Sequence, residues 1–241
     1  MMSISVDTRE TTRWLNDVQR NQIPFATSVA LNKTARLAQD GIKAEMTRVL
    51  DRPKPYTLGG TFVSNSTKHK LTAIVGLKDK AASGPAPAAY LGALVGGGQR
   101  TEKAMERALQ SVGALPAGMR AMPAAGAKLD RYGNMNRAQF KEMVGALKSS
   151  MRTFKGKGKR MHAAGYFVAA AGRSQTRHLP PGIYYRIERP GESVIKPVMI
   201  FVDRAQYRAT LNIARTVGKV VDRDFKPMFD AAMASALATA R

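Results

Sequence analysis

The sequence predicts an α+β protein: a small antiparallel sheet packed against long N-terminal and C-terminal helices, with a Gly/Ala/Pro-rich central insertion. Three observations carry this. Apolar residues recur at helical spacing over 25–50 and again over 203–241. Four short stretches alternate apolar and other residues as strands do. Those strands do not alternate with helices in the βαβ order that builds a parallel nucleotide-binding sheet. The expected organisation is one domain over 1–241, with its core from 5–79 and 163–241 and an insertion or arm over 80–162.

Taken in order, residues 5–20 read as a short amphipathic helix, which Ile23-Pro24-Phe25 should break. Pro24 then suits the first turn of a second helix. Leu31, Ala35, Ala38, Ile42, Met46 and Val49 form its apolar stripe, and its length is ~40 Å at 1.5 Å per residue. Two prolines and a glycine pair in "DRPKPYTLGG" end it. "LTAIVGL" reads as a strand with Leu71, Ala73, Val75 and Leu77 on one side. The insertion holds a helix near 101–112, with Thr101 as its expected cap, a turn at Tyr132-Gly133-Asn134, and a helix capped by Asn136.

"GYFVAAA" (165–171), "GIYYRIE" (182–188) and "VIKPVMIFV" (194–202) read as strands. Pro197 lacks an N–H, so the last of them should be an edge strand or carry a bulge. Asp203 is the expected cap of a final helix, with a stripe of Leu211, Ala214, Val217, Val221, Phe225, Met228, Ala232 and Ala236. Pro227 should kink or split that helix. Asp51–Thr67 and Ala81–Leu129 read as arms that order on assembly.

The 241 residues are 44% hydrophobic, enough for a buried core. There is no cysteine, so neither a disulfide nor a thiolate metal site is available. His69, His162 and His178 lie far apart, and no metal or cofactor is expected. No apolar run approaches a membrane span of ~20 residues. The polar start "MMSISVDTRETTRW" does not read as a signal peptide, and no membrane partner is expected.

Charge is the strongest compositional feature: 39 Lys and Arg against 17 Asp and Glu, a net +22. Such an excess favours an acidic partner, either nucleic acid or an acidic protein surface. No acidic residue occurs between Met143 and Ile187. This run holds the candidate contacts Lys148, Arg152, Lys155, Lys157, Lys159, Arg160, Arg173 and Arg177, with Arg186 at its end and "KGKGKR" at its peak.

"VGGGQRTEKAMERAL" (Val95–Leu109) raises the question of a phosphate loop, because glycines leading into a helix can present N–H groups to an anion. It lacks both the Lys-Ser/Thr of a P-loop and the spacing of a dinucleotide fingerprint. A flexible turn is the expectation. Glu102 and Glu106 read as a solvated helix face. Asp222 and Asp224 point to different helix faces, and no residue set suggests catalysis.

"IPFATSVALNKTARLAQDGIKAEM" resembles the opening of the phage minor tail protein Z, or tail-completion (neck), family. Pro24, Ala26, Ala30, Leu31, Asn32, Thr34 and Ala35 fill the places of its first helix. The strand and long basic helix over 195–239 follow the same plan. The middle is similar to a related group of prophage virion structural proteins. The likeness lies in Asp51–Leu58 (with Lys54 departing from the pattern), Leu77–Asp79, Tyr90–Gly118 and Leu129–Met135. The resemblance implies a non-enzymatic virion protein of the neck or tail. It would form a six- or twelvefold ring against portal, adaptor or tail-tube proteins, with DNA possible in the channel. The alternative is a basic nucleic-acid-binding protein packaged with or acting on the genome.

Overall fold

A computed structural model describes residues 7–153, 165–169, 176, 178–190, 192–204 and 206–239, the side chains of 150–153 excepted. It is mixed helix and antiparallel sheet, with a long helix toward each end. The chain folds as two compact units: Met1–Val95 with Ala209–Arg241, and Gly96–Arg208.

In the first unit, α1 (Arg9–Asp17) passes through a π-helical turn (Val18–Gln22) into α2 (Ile23–Val49). The break expected at Ile23–Phe25 does not occur. Pro24 has no N–H, and its ring crowds the carbonyl one turn back. The π turn just before it widens the helix there, and the chain continues. Ala35, Ala38, Ile42 and Met46 are buried as the stripe predicts, but so are Ala26, Ser28, Ala30 and Thr34. The first half of α2 therefore buries more than one narrow stripe.

One neighbour of α2 is α7 (Ile213–Thr239), which runs antiparallel to it. Small side chains let the two backbones close up: Ala232 and Ala236 are buried on α7. A Cβ on Gly41 would meet Thr216 Cγ2 at 3.3 Å. A second neighbour is the loop after β1 (Thr61–Ser64). Asn32 donates to the Ser66 carbonyl (3.0 Å) and accepts from its N–H (2.7 Å), and Ser28 Oγ donates to the same carbonyl (3.1 Å). Asn32 and Thr34, two positions of the resembling motif, thus have packing roles: Thr34 is buried.

Between them in sequence lie α3 (Pro55–Leu58), β1, β2 (Ile74–Leu77) and α4 (Pro87–Gly96). β1 pairs antiparallel with β2 from Thr61↔Leu77 to Ser64↔Ile74. The Tyr56 hydroxyl donates to the carbonyls of Ser83 and Pro85. Asp51–Thr67, read as an arm, makes these contacts within the chain. β2 is also shorter than expected, with Leu71 exposed.

α7 starts ten residues after Asp203. Asn212 is the cap, accepting from Arg215 N–H at 2.9 Å. Leu211 is buried just ahead of it, its N–H bonded to the Leu94 carbonyl. The buried stripe takes Val220 in place of Val221, which is 43% exposed. Pro227 does not split α7: it lies on the exposed side, where the carbonyl it orphans can meet water.

The second unit holds a four-stranded antiparallel sheet of β4 (Arg120–Pro123), β5 (Gly165–Ala169), β6 (Gly182–Arg189) and β7 (Glu192–Val202). Its order is β4-β7-β6-β5. α5 (Ala104–Ser111) and α6 (Arg137–Thr153) supply Leu109, Met143 and Leu147 to a core closed by Ile183, Met199 and Phe201 from the sheet. The expected division at 80 and 162 differs from this one. β4, α5 and α6, assigned to the insertion, share a sheet and core with the strands at 165–202. A sheet needs its face covered, and the helices nearest in sequence cover it.

β7 is an interior strand, so Pro197 takes the bulge and not the edge. Register shifts between Ile183 and Tyr184, and Tyr184 pairs with Pro197. On the other side the β4 ladder ends at Pro123↔Met199, so no partner is denied an N–H by the proline. Asn136 caps α6 as expected, accepting from Ala138 N–H at 2.8 Å. Asn136→Ala should cost about 1 kcal/mol, read as a lower midpoint in a urea melt of the chain. An unchanged midpoint would remove the cap from the account.

Candidate functional site

The predicted cationic site is described only in part. Lys148 is exposed on α6. Arg152 lies in the last turn of that helix, with its side chain outside the description. Lys155, Lys157, Lys159, Arg160, Arg173 and Arg177 lie outside the described residues. Arg186 is half-buried, 5.2 Å over the Phe167 ring and 3.9 Å from Glu188, which is a packing role. Tyr166–Tyr185 and Phe167–Tyr184 are cross-strand aromatic pairs with centroids at 4.7 and 5.7 Å.

What α6 adds to Lys148 is a column. Arg137, Lys141 and Lys148 stand at i, i+4 and i+11, on one side of the helix. All three are exposed, and none has a hydrogen-bond or ion-pair partner among the described residues. The first two also rim a groove of about 410 Å³ lined by Ala104, Met105, Met135 and Phe140. The inner ends of Met105, Met135 and Phe140 pack on the core of the second unit. Sequence reasoning missed this groove, because its lining comes from two helices and the loop before α6. The only local trace is two exposed cations one turn apart.

The glycine stretch has a different role from a phosphate cradle. Gly97 (φ 74°) and Gly98 (φ 94°) adopt left-handed backbone. Gly98 and Gln99 form β3, paired with Gln206 and Tyr207 of β8. α5 begins only at Ala104, with Lys103 and not Thr101 as its cap residue. The strand register takes residues 98–99 out of any helix start.

The chain then delivers Arg100 to Glu106, which is fully buried and not on a solvated face. Arg100 donates to both carboxylate oxygens, at 2.8 and 2.5 Å. The same carboxylate accepts from Lys103 N–H (2.8 Å) and Ala121 N–H (2.9 Å). Burial pushes the Glu106 carboxyl upward. The Arg100 hydrogen bonds and the two N–H groups outweigh it and hold the pKa down to about 2. Glu102 is also engaged, with Arg120 at 3.1 Å. These groups tie the glycine turn, α5 and β4 together. Calorimetry with ATP and Mg²⁺ at moderate salt should show no micromolar binding. A binding isotherm lost in Gly97→Ala/Gly98→Ala would overturn that expectation.

Among the described residues, no group of three or more His, Asp or Glu is placed to hold a metal ion. Among them, no helix is long and apolar enough to cross a membrane. No family model, curated protein or solved structure matches this chain.

Proposed function

We propose that the chain is a structural component of a tailed-phage virion, a ring-forming neck or tail-completion subunit that acts in assembly and not as an enzyme. The observation that carries the reading is the second unit's groove and cation column. Arg137 and Lys141, which have no hydrogen-bond or ion-pair partner among the described residues, rim a methionine-lined apolar groove, and Lys148 continues their row along α6. That combination suits an acidic and partly apolar protein surface. The resemblance of the first helix and of the C-terminal strand and helix supplies the virion context.

Nucleic acid is the second reading, favoured by the net charge of +22. It leaves the groove unexplained, since a phosphate backbone recruits cations but not a methionine cleft. The test has two arms. In particles, the protein should occur at fixed stoichiometry, and its deletion should leave incomplete necks or tails. In isolation, its DNA affinity should be weak. Nanomolar DNA binding with a steep salt slope, together with normal particles after deletion, would replace the virion reading with the nucleic-acid one.

A further inference from the structure

We propose that the chain associates head to tail with itself, the α1 helix of one copy seating in the α5–α6 groove of the next. The inference deepens the ring-subunit reading and rests on it for closure of the assembly, but not for the contact.

The knob is α1. None of its residues is buried, and Trp14 and Leu15 are 50% and 54% exposed. Trp14 is therefore half in water, on a helix that buries no residue. Its face is also chemically sorted. Glu10, Trp14, Asp17 and Val18 stand at i, i+4, i+7 and i+8, on one side of the helix. Arg9 and Arg13 form a separate row. Trp14 is thus presented between two carboxylates, of which Asp17 also accepts from Asn21 and Gln22, with Arg13 one turn from both.

The socket has the complementary order. Met105, Met135 and Phe140 offer a soft apolar floor that adapts to a large ring. Arg137 and Lys141 rim it and have no described partner. An aromatic anchor entering an apolar groove with its flanking acids on rim cations is the usual form of a helix-in-groove contact.

Knob and socket are different surfaces, so each copy carries one of each. Such a contact is heterologous and repeats, closing into a ring or running on as a filament. A single short helix covers little area, so each contact alone is weak. Cooperation around a closed assembly supplies the rest.

The experiment is sedimentation of the full chain over a concentration series. Wild type should grow past dimers as concentration rises. Trp14→Glu should remove the knob, and Arg137→Glu with Lys141→Glu should remove the socket. Each variant should sediment as a monomer with an unchanged circular dichroism spectrum and melting temperature, since these residues are exposed. An equimolar mixture of the two variants has one intact knob and one intact socket, so it should stop at dimers. Adding Glu10→Lys and Asp17→Lys to the socket variant should restore growth. The proposal is overturned by a wild type that stays monomeric, by growth that survives Trp14→Glu, or by a mixture that stays monomeric. Such a result with normal incorporation into particles would leave the virion reading standing. Knob-dependent growth by a chain that never enters particles would do the reverse.

Discussion

Replacing Glu106 with alanine should cost the second unit about 3–5 kcal/mol, the usual loss when one partner of a buried ion pair is removed. Three groups lose their acceptor at once. The Arg100 guanidinium keeps its charge with 6% of its side chain exposed, and the N–H groups of Lys103 and Ala121 lose their carboxylate. Glu106→Gln should recover only part of the loss, because one of its two head atoms becomes a donor facing donors. Arg100→Met combined with Glu106→Leu removes both charges but still orphans the two N–H groups. It should therefore fall between wild type and Glu106→Ala. Urea melts of the full chain would read all three. A Glu106→Ala midpoint within error of wild type would remove the pair from the account of stability.

The same carboxylate sets an acid limit. Its folded pKa, about 2, lies below the usual glutamate range. The unfolded chain binds the proton first, so the stabilisation is complete above the unfolded pKa of about 4.3. It is lost as pH falls through the folded value near 2. Wild type should lose stability between those limits, and Glu106→Gln should lose less there. Parallel acid curves for the two proteins would refute the assignment.

Gly182→Ala should be the most damaging single-methyl change in the sheet. Gly182 opens β6 and pairs with Ile200 of β7. A Cβ there would strike the Met199 carbonyl oxygen and press on Ile200 Cα and Cδ1, both at 3.3 Å. The obstacle is the backbone of an interior strand, which a rotamer change does not relieve. Pro197 and the register shift already occupy the next positions. Overpacking of about 3 kcal/mol or more is expected, seen as loss of the cooperative unfolding transition or as insoluble protein. Gly145→Ala is the control: a Cβ there meets nothing within 4 Å on α6, so it should be neutral or stabilising. Equal behaviour of the two variants would show that the β6–β7 register gives way more easily than the packing implies.

Much of the local structure was legible in the residues. The Ala35-Ala38-Ile42-Met46 stripe, the Asn136 cap and the strands β5, β6 and β7 each follow from spacing or from a side chain bonding its own backbone. The misreadings share a cause. Pro24 reads as a break unless the preceding turn widens, and nothing in Val18–Gln22 announces a π turn. Glu106 reads as solvated unless Arg100 and the N–H of Ala121 arrive from elsewhere. Met105 and Met135 read as unremarkable until the first turns of α5 and α6 and the loop before α6 come together at the groove.

By itself, then, the sequence determined the longer helices, the strands β5 to β7, the α+β class and the cationic character, because propensity, periodicity and net charge are properties of neighbours along the chain. The tertiary structure decided what those elements do to one another. The partition at 95/96 and 208/209, the interior place of β7, the buried Glu106 and the groove beside Arg137 and Lys141 all depend on residues far apart in sequence coming together. A carboxylate buries when a guanidinium and two N–H groups converge on it, and a groove forms where the starts of two helices and a loop meet. No local pattern encodes either event, because the partners meet only after the chain has folded.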